Sequence, residues 1–155
     1  MIRKFIAFSL LLVIAISCTK TADVVDYGPT DKKIIEDYLK AHNITDAKST
    51  ASGLYYFIQK PGSINHPSIK SFVSVNYKGY LTNGTVFDSS YPKGRPYSNY
   101  VSIFVAGWQE GLPLIGAGGK IQLFIPSALG YGSTARPDIP ANSVILFDIE
   151  LVDFY

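Results

Sequence analysis

Cysteine is almost missing from this chain: Cys18 is the only one among 155 residues, so no disulfide can form within it. Histidine is nearly as scarce. His42 and His66 are the only two and lack metal-ligand spacing, so no metal site is expected. No G-x-S-x-G elbow occurs, which argues against triad hydrolysis. Gly116-Ala117-Gly118-Gly119-Lys120 looks like a phosphate loop but lacks the first glycine at the required spacing. It also carries Ile121 where Ser or Thr would bind magnesium, so it reads as a turn between helix and strand. No cofactor is expected. Charge is sparse as well, at 17% charged residues and a formal net charge of +2. Without a basic footprint, nucleic acid is not expected as a partner. Internal repeats are absent, and the apolar run from Phe5 to Ile16 is too short to span a bilayer comfortably.

What is present suits one globular domain with a short extension, since 47% of residues are hydrophobic. Arg3 and Lys4 precede the apolar run, which is the layout of a secretory signal peptide. Ala15-Ile16-Ser17-Cys18 resembles the lipobox of bacterial lipoproteins, where cleavage before the cysteine leaves it as an acylated N-terminus. An ordinary signal peptide with an incidental cysteine, or an uncleaved anchor, are the alternatives. On the lipoprotein reading, residues 1–17 are the signal peptide and Cys18 is the lipidation site. Their removal takes away Arg3 and Lys4 and leaves 12 basic against 12 acidic residues. Attachment would then rest on acyl chains, each worth about 0.8 kcal/mol per buried methylene.

Residues 18–29 read as a polar tether. Residues 30–52 read as an N-terminal helix and its connection. Thr30 is the expected N-cap of a helix from Asp31 to about His42, with Ile34, Ile35, Tyr38 and Leu39 as one apolar stripe. The stripe is expected to pack on the domain, with a partner or dimer contact as the alternative; the helix is short for a dimerising extension, so a monomer is expected. Strands are expected at Leu54 to Lys60, Ser71 to Asn83, Thr85 to Asp88, Tyr100 to Val105, Lys120 to Pro126 and Ser143 to Phe154. Trp108 to about Ile115 has helical potential, which Pro113 limits to a turn or two. Strands broken by one short helix make an α+β pattern.

The densest information lies in VSVNYKGYLTNGTVFDSS, residues 73–90. Val73, Val75 and Tyr77 alternate with polar residues, as in a strand with one buried face. Asn83-Gly84 supplies the positive φ that a hairpin turn needs. Val86 and Phe87 then stop at Asp88, which is either a solvated strand end or a buried hydrogen-bond acceptor.

These motifs resemble the FKBP-type peptidyl-prolyl isomerases, the tacrolimus-binding family. The match runs through Tyr77, Gly79, Leu81, Gly84, Phe87, Asp88, Ser89 and Ser90, then Trp108, Glu110 and Gly111. It continues at Gly118, Lys120, Ile125, Pro126, Tyr131, Gly132, Ile139, Pro140, Phe147, Asp148, Glu150 and Leu151. Each motif alone is weak; the ordered set over residues 53–155 carries the resemblance. It implies an antiparallel half-barrel sheet wrapped around one short helix. It also implies an apolar cup for Xaa-Pro segments, with Trp108 as floor and Tyr77, Phe87, Val105, Tyr131, Ile139 and Phe147 as walls. Tyr97 takes the place of the aromatic in the family's P-F element.

By the same resemblance, Asp88 polarises the substrate's carbonyl region, held by Tyr77 and a cation, for which Lys93 and Arg95 are candidates. The Val105 N–H and the Tyr131 hydroxyl would hold substrate carbonyls. The implied protein is a prolyl isomerase of the cell envelope, lipid-anchored, assisting folding of envelope proteins and open to tacrolimus-like macrolides. The alternative is a non-catalytic binding or chaperone module for Pro-containing segments. The chain departs from the family in a shortened segment between Pro96 and Trp108, one residue fewer between Tyr131 and Phe147, Ile115 for the usual methionine, and Arg136-Pro137-Asp138 at the flap tip. An inward-folded Arg136 or Tyr97 would block the cup.

Overall fold

A computed structural model describes residues 26–155. The expected signal peptide, Cys18 and most of the tether lie outside the described residues. The helix α1 (Gly28–Ala41) comes first, followed by strands β1 (Lys48–Ser49), β2 (Tyr55–Lys60), β3 (Phe72–Leu81), β4 (Val86–Ser89) and β5 (Tyr97–Tyr100). Helix α2 (Ala106–Gly111) precedes β6 (Lys120–Ile125) and β7 (Ile145–Phe154). The seven strands form one antiparallel sheet in the order β1-β2-β6-β7-β3-β4, with β5 also paired to β3. This is the expected α+β half-barrel around a short helix. No helix among the described residues is long and apolar enough to cross a membrane.

The sheet has two covered faces, and the strand sequences show why. Val73, Val75 and Tyr77 of β3 and Ile145, Phe147, Ile149 and Leu151 of β7 point to one side, where they pack with Trp108 and Leu112. Tyr80, Phe124 and Leu146 point to the other, against Ile35 and Leu39 of α1. β6 therefore reads as an unbroken apolar run, Leu123-Phe124-Ile125, each residue wholly buried, as strands covered on both faces do. Burying Ile35 and Leu39 stabilises the α1 contact by about 1.5–3 kcal/mol each. Ile34 of the expected stripe stays exposed and Tyr38 is half-buried, so the stripe is narrower than its spacing suggests.

α2 lies close to the sheet because it presents glycine there. A Cβ on Gly107 would come within 2.7 Å of Ile125, and one on Gly111 within 2.6 Å of Leu123. After Gly111, Pro113 falls in a 3-10 turn spanning Leu112–Leu114, which ends the helix earlier than its expected limit at Ile115.

Three local expectations are corrected. α1 starts at Gly28 with Pro29 in its first turn and Tyr27 as N-cap, so Thr30 is already helical and caps nothing. Pro29 presets the helical φ. The polar connection after α1 contains the short strand β1, which pairs with β2. The strand expected at Tyr100 to Val105 lies instead at Tyr97–Tyr100, where its register runs from Val75↔Tyr97 to Phe72↔Tyr100. β3 begins at Phe72, so pairing stops there; the buried Val101 donates to Ser71 O at 2.9 Å and starts a 3-10 turn. The hairpin between β3 and β4 carries its positive φ of 87° at Gly84 alone. Gly84 N–H donates to Leu81 O at 2.8 Å, closing that turn.

Candidate functional site

Where α2 meets the concave face, the sheet opens into a cup of about 330 Å³. Trp108 enters it from α2 and is 4% exposed. Its indole meets Tyr77 edge-on at 5.3 Å and Phe147 edge-on at 5.0 Å, and tilts against Phe104 at 4.8 Å. Phe87 extends the row by an edge contact to Phe147 at 5.5 Å. Tyr97 closes the opposite side, 6.2 Å from Tyr77 and 6.0 Å from Phe104. Edge-on and offset contacts of this kind add about 0.5–1.5 kcal/mol each beyond area burial. They also fix the ring orientations, so the cup is formed in advance of any ligand.

Of the expected site residues, Tyr77, Phe87, Asp88, Tyr97, Val105, Trp108, Tyr131 and Phe147 line the cup together. Ile139 does not line it; it is buried in the core cluster that holds Trp108 and Phe147. Ile103, Phe104 and Lys93 complete the lining. The first two escaped the sequence reading because they belong to or directly follow an irregular 3-10 turn, where no alternation marks an inward face. The available signal was only that Phe104 precedes Val105, itself expected at the wall. A wider groove of about 1210 Å³ lies beside the start of α1, and none of the expected site residues lines it.

Asp88 stands at the rim with its side chain half exposed. One carboxylate oxygen accepts from the Tyr77 hydroxyl. The other accepts the Ser89 N–H at 2.8 Å and faces Lys93 Nζ at 3.8 Å. The cation beside Asp88 is thus Lys93; Arg95 forms no ion pair among the described residues. Burial, then the hydrogen bond to Asp88, push the Tyr77 hydroxyl well above its ordinary pKa of 10.0. Tyr77 stays a neutral donor at any physiological pH.

The two serines after Asp88 hold Tyr77 in place through its backbone. Ser90 Oγ accepts the Tyr77 N–H at 2.9 Å, and Ser90 N–H donates to Tyr77 O at 3.0 Å. Ser89 Oγ adds a third bond, donating to Tyr77 O at 3.1 Å. Ser90 is buried, so these bonds are shielded from water.

Three donors at the cup are uncommitted. Among the described residues no acceptor pairs with the Val105 N–H or the Tyr131 hydroxyl. The Trp108 Nε1–H is buried without a partner, a cost of about 1–3 kcal/mol. Tyr131 is half-buried; burial raises its pKa above 10.0, the Arg136 charge opposes the rise and the Asp88 charge adds to it. The site thus offers a dry aromatic surface, one braced carboxylate and free hydrogen-bond donors.

Comparison with known proteins identifies the family and the fold. The family model described as FKBP-type peptidyl-prolyl cis-trans isomerase matches residues 64–152. FkpA of Buchnera aphidicola (subsp. Schizaphis graminum), named an FKBP-type peptidyl-prolyl cis-trans isomerase, is 43% identical over 139 residues, covering 86% of this chain and 55% of that protein. FkpA of Escherichia coli K12 is 40% identical over 131 residues, covering 84% and 47%. The crystal structure of Escherichia coli FkpA superposes with a TM-score of 0.74 at 40% identity, covering 83% of this chain and 61% of that one. The crystal structure of AtFKBP13 superposes with a TM-score of 0.64 at 32% identity, covering 69% and 97%. The chain belongs to the FKBP-type peptidyl-prolyl cis-trans isomerase family. It spans about half the length of the curated relatives it matches.

Proposed function

We propose that this chain catalyses cis–trans isomerisation of Xaa-Pro bonds in folding proteins of the cell envelope, from a lipid anchor at Cys18. The observation that carries the activity is the open aromatic cup with Asp88 braced at its rim and the Val105 and Tyr131 donors left free. Rotation about an Xaa-Pro bond meets a barrier of about 20 kcal/mol, because twisting destroys amide resonance. The twisted amide is less polar than the planar one. A dry aromatic cup therefore binds the twisted form better than the planar form, which is the differential binding that catalysis requires. An acceleration of about 10⁴ to 10⁶ needs only about 5.5–8 kcal/mol of such preference.

In this reading Trp108 is the floor, and Tyr77, Phe87, Tyr97, Val105 and Phe147 form the walls. Ile139, buried beside these walls in the same core, would reach the substrate only if the flap shifts. The Val105 N–H and Tyr131 O–H hold the carbonyls flanking the bond, and Asp88, aligned by Tyr77, stabilises the carbonyl carbon as conjugation is lost. No nucleophile or cofactor is needed. The same cup, which Tyr97 walls without filling and Arg136 does not line, would take tacrolimus-like macrolides.

Residues 1–17 would be the signal peptide, 18–27 the tether, 28–52 the helix and connection that brace the sheet, the helix starting two residues before its expected limit, and 53–155 the isomerase domain of a monomer. The anchored domain would face the periplasm or the outer surface. The decisive assay follows isomerisation of short Xaa-Pro peptides beside Asp88→Ala and Tyr131→Ala. Turnover that drops in both variants is expected. A folded protein with no rate above the uncatalysed one would instead leave a binding module. Cys18→Ser should abolish incorporation of labelled palmitate and move the protein out of the membrane fraction; retained label would refute the anchor.

A further inference from the structure

The flap beside the cup carries a cation with no partner. Arg136 and Ile139 exchange backbone hydrogen bonds, Arg136 N–H to Ile139 O at 2.9 Å and Ile139 N–H to Arg136 O at 3.1 Å. Between them Pro137 has a restricted φ and Asp138 adopts a φ of 63°, so the turn is tight and the base of the Arg136 side chain is fixed. The guanidinium lies over the Tyr131 ring, 5.4 Å from its centroid. Stacking of this kind orients a guanidinium while leaving its N–H edge free.

The two charged residues that line the cup, Asp88 and Lys93, are paired with each other. Asp88 is engaged by the Tyr77 hydroxyl, the Ser89 N–H and Lys93, and Lys93 is engaged by Asp88 in return. Arg136 makes no ion pair and no side-chain hydrogen bond among the described residues, and Asp138, two residues on, does not pair with it. An uncompensated guanidinium at the edge of an apolar cup discriminates by charge.

We infer that Arg136 is a specificity residue that favours an acidic side chain immediately before the substrate proline. This rests on the isomerase reading of the cup. In that reading the Tyr131 hydroxyl holds a carbonyl flanking the rotating bond, so the side chain of the residue before proline leaves the backbone beside the Tyr131 ring. A glutamate there meets the fork of N–H donors that Arg136 presents, a geometry suited to bidentate contact with a carboxylate. Glutamine has the same shape without the charge, and lysine is repelled.

The test uses the full-length protein in detergent and tetrapeptides that differ only in Glu, Gln, Leu or Lys before proline. Two readouts are taken on each, kcat/KM for isomerisation and binding followed by the fluorescence of Trp108, the single tryptophan. The expected Glu-to-Gln ratio is about two- to fivefold, the range of a solvent-exposed ion pair, and it shrinks as salt is raised. Arg136→Gln brings the ratio to one, and Arg136→Glu reverses it so that Lys exceeds Gln. Ratios within one protein are independent of how much of it is folded. A ratio of one in the unaltered protein, or one that survives Arg136→Gln, overturns the inference. Absence of turnover together with a Glu preference in binding that Arg136→Gln removes would reject the isomerase reading and keep the selection. Absence of both turnover and binding would reject the two together.

Discussion

β3 carries two tyrosines on opposite faces, Tyr77 and Tyr80, and each is paired with an aspartate. Tyr80 donates to Asp148 at 3.1 Å and accepts from Gln122 Nε2 at 2.7 Å, while the same nitrogen donates to Asp148 at 2.9 Å. Lys78 closes that group, 3.6 Å from Asp148 and 4.8 Å over the Tyr80 ring. Tyr77 and Asp88 have a similar cation in Lys93 but no counterpart of Gln122, and their pair opens into the cup. The chemistry of the two pairs is alike, and what differs is what remains unfilled. On the α1 side the tyrosine hydroxyl both gives and receives, and α1 covers the surrounding surface. On the cup side, the Val105 N–H and the Tyr131 hydroxyl stay free, the Trp108 N–H is buried without a partner beneath them, and the aromatic walls face open space. A satisfied polar cluster ties strands together; an unsatisfied one beside a cavity is ready for a ligand.

The sharpest way to break this comparison is to remove each aspartate in turn. Asp88→Ala should lower kcat/KM about 10- to 100-fold, the range for loss of a hydrogen bond to a charged group, and cost less stability than Asp148→Ala, because the Tyr77 hydroxyl it frees lines the open cup, where water can take the place of the carboxylate. Asp148→Ala should do the reverse. It leaves the Tyr80 O–H and one Gln122 amide N–H without an acceptor and should cost about 1–3 kcal/mol of stability, with activity per folded molecule preserved. If Asp148→Ala lost activity as severely as Asp88→Ala while remaining folded, the division of labour between the faces would be wrong.

Next in size is the bracing of Tyr77 itself. Ser90→Ala leaves the Tyr77 N–H without its acceptor in a buried place, which should cost about 1–3 kcal/mol. Denaturant unfolding should show a lower midpoint at an unchanged slope. Thr in place of Ser90 keeps the hydroxyl and should recover part of the loss; recovery equal to that of Ala would show that the bond contributes nothing.

How far each of these features was legible follows from the distance over which its signal travels. Alternation at Val73, Val75 and Tyr77 marks β3 because the buried face is written in neighbouring residues, and the order of motifs brings Asp88, Trp108, Tyr131 and Phe147 to one cup. Asp31 shows the opposite case. In sequence it is an acid in the first turn of a helix. In the fold it is buried and accepts both the N–H and the hydroxyl of Ser127, at 2.8 and 2.6 Å. Nothing local to Asp31 announces a partner 96 positions away. Likewise β5 begins at Tyr97 rather than Tyr100 because β3 sets the register, and Phe104 reaches the cup from irregular backbone that no period describes.

Alkaline titration tests both faces together. Burial is the main cause that raises the Tyr77 and Tyr80 hydroxyls above 10.0, with the charges of Asp88 and Asp148 adding to it. The unfolded chain releases these protons near 10.0 while the folded chain still holds them, so above that pH the unfolded state binds fewer protons and stability falls as pH rises. Below about pH 9 the two tyrosines contribute no pH dependence. Each adds at most about 1.4 kcal/mol per pH unit to the slope. Tyr77→Phe and Tyr80→Phe should each flatten it by one proton. A slope unaffected by either would mean that the unfolded chain holds its tyrosine protons as tightly.

The smallest effects should come from the two cations, and they sharpen the comparison because they are so nearly matched. Lys93 lies 3.8 Å from Asp88 and Lys78 lies 3.6 Å from Asp148, both well exposed. Exposed pairs contribute about 0–1 kcal/mol and are screened by salt, so neither lysine can hold up its face alone. Lys78→Met should shift stability by less than about 1 kcal/mol and leave kcat/KM alone. Lys93→Met should change kcat/KM by less than about fivefold and leave stability alone, and both differences should vanish near 1 M salt. A loss at Lys93 as large as that at Asp88, persisting in high salt, would mean that the lysine touches substrate directly instead of only balancing the carboxylate. The braced unit would then be the pair, and Asp88 would no longer be the distinguishing charge of the cup.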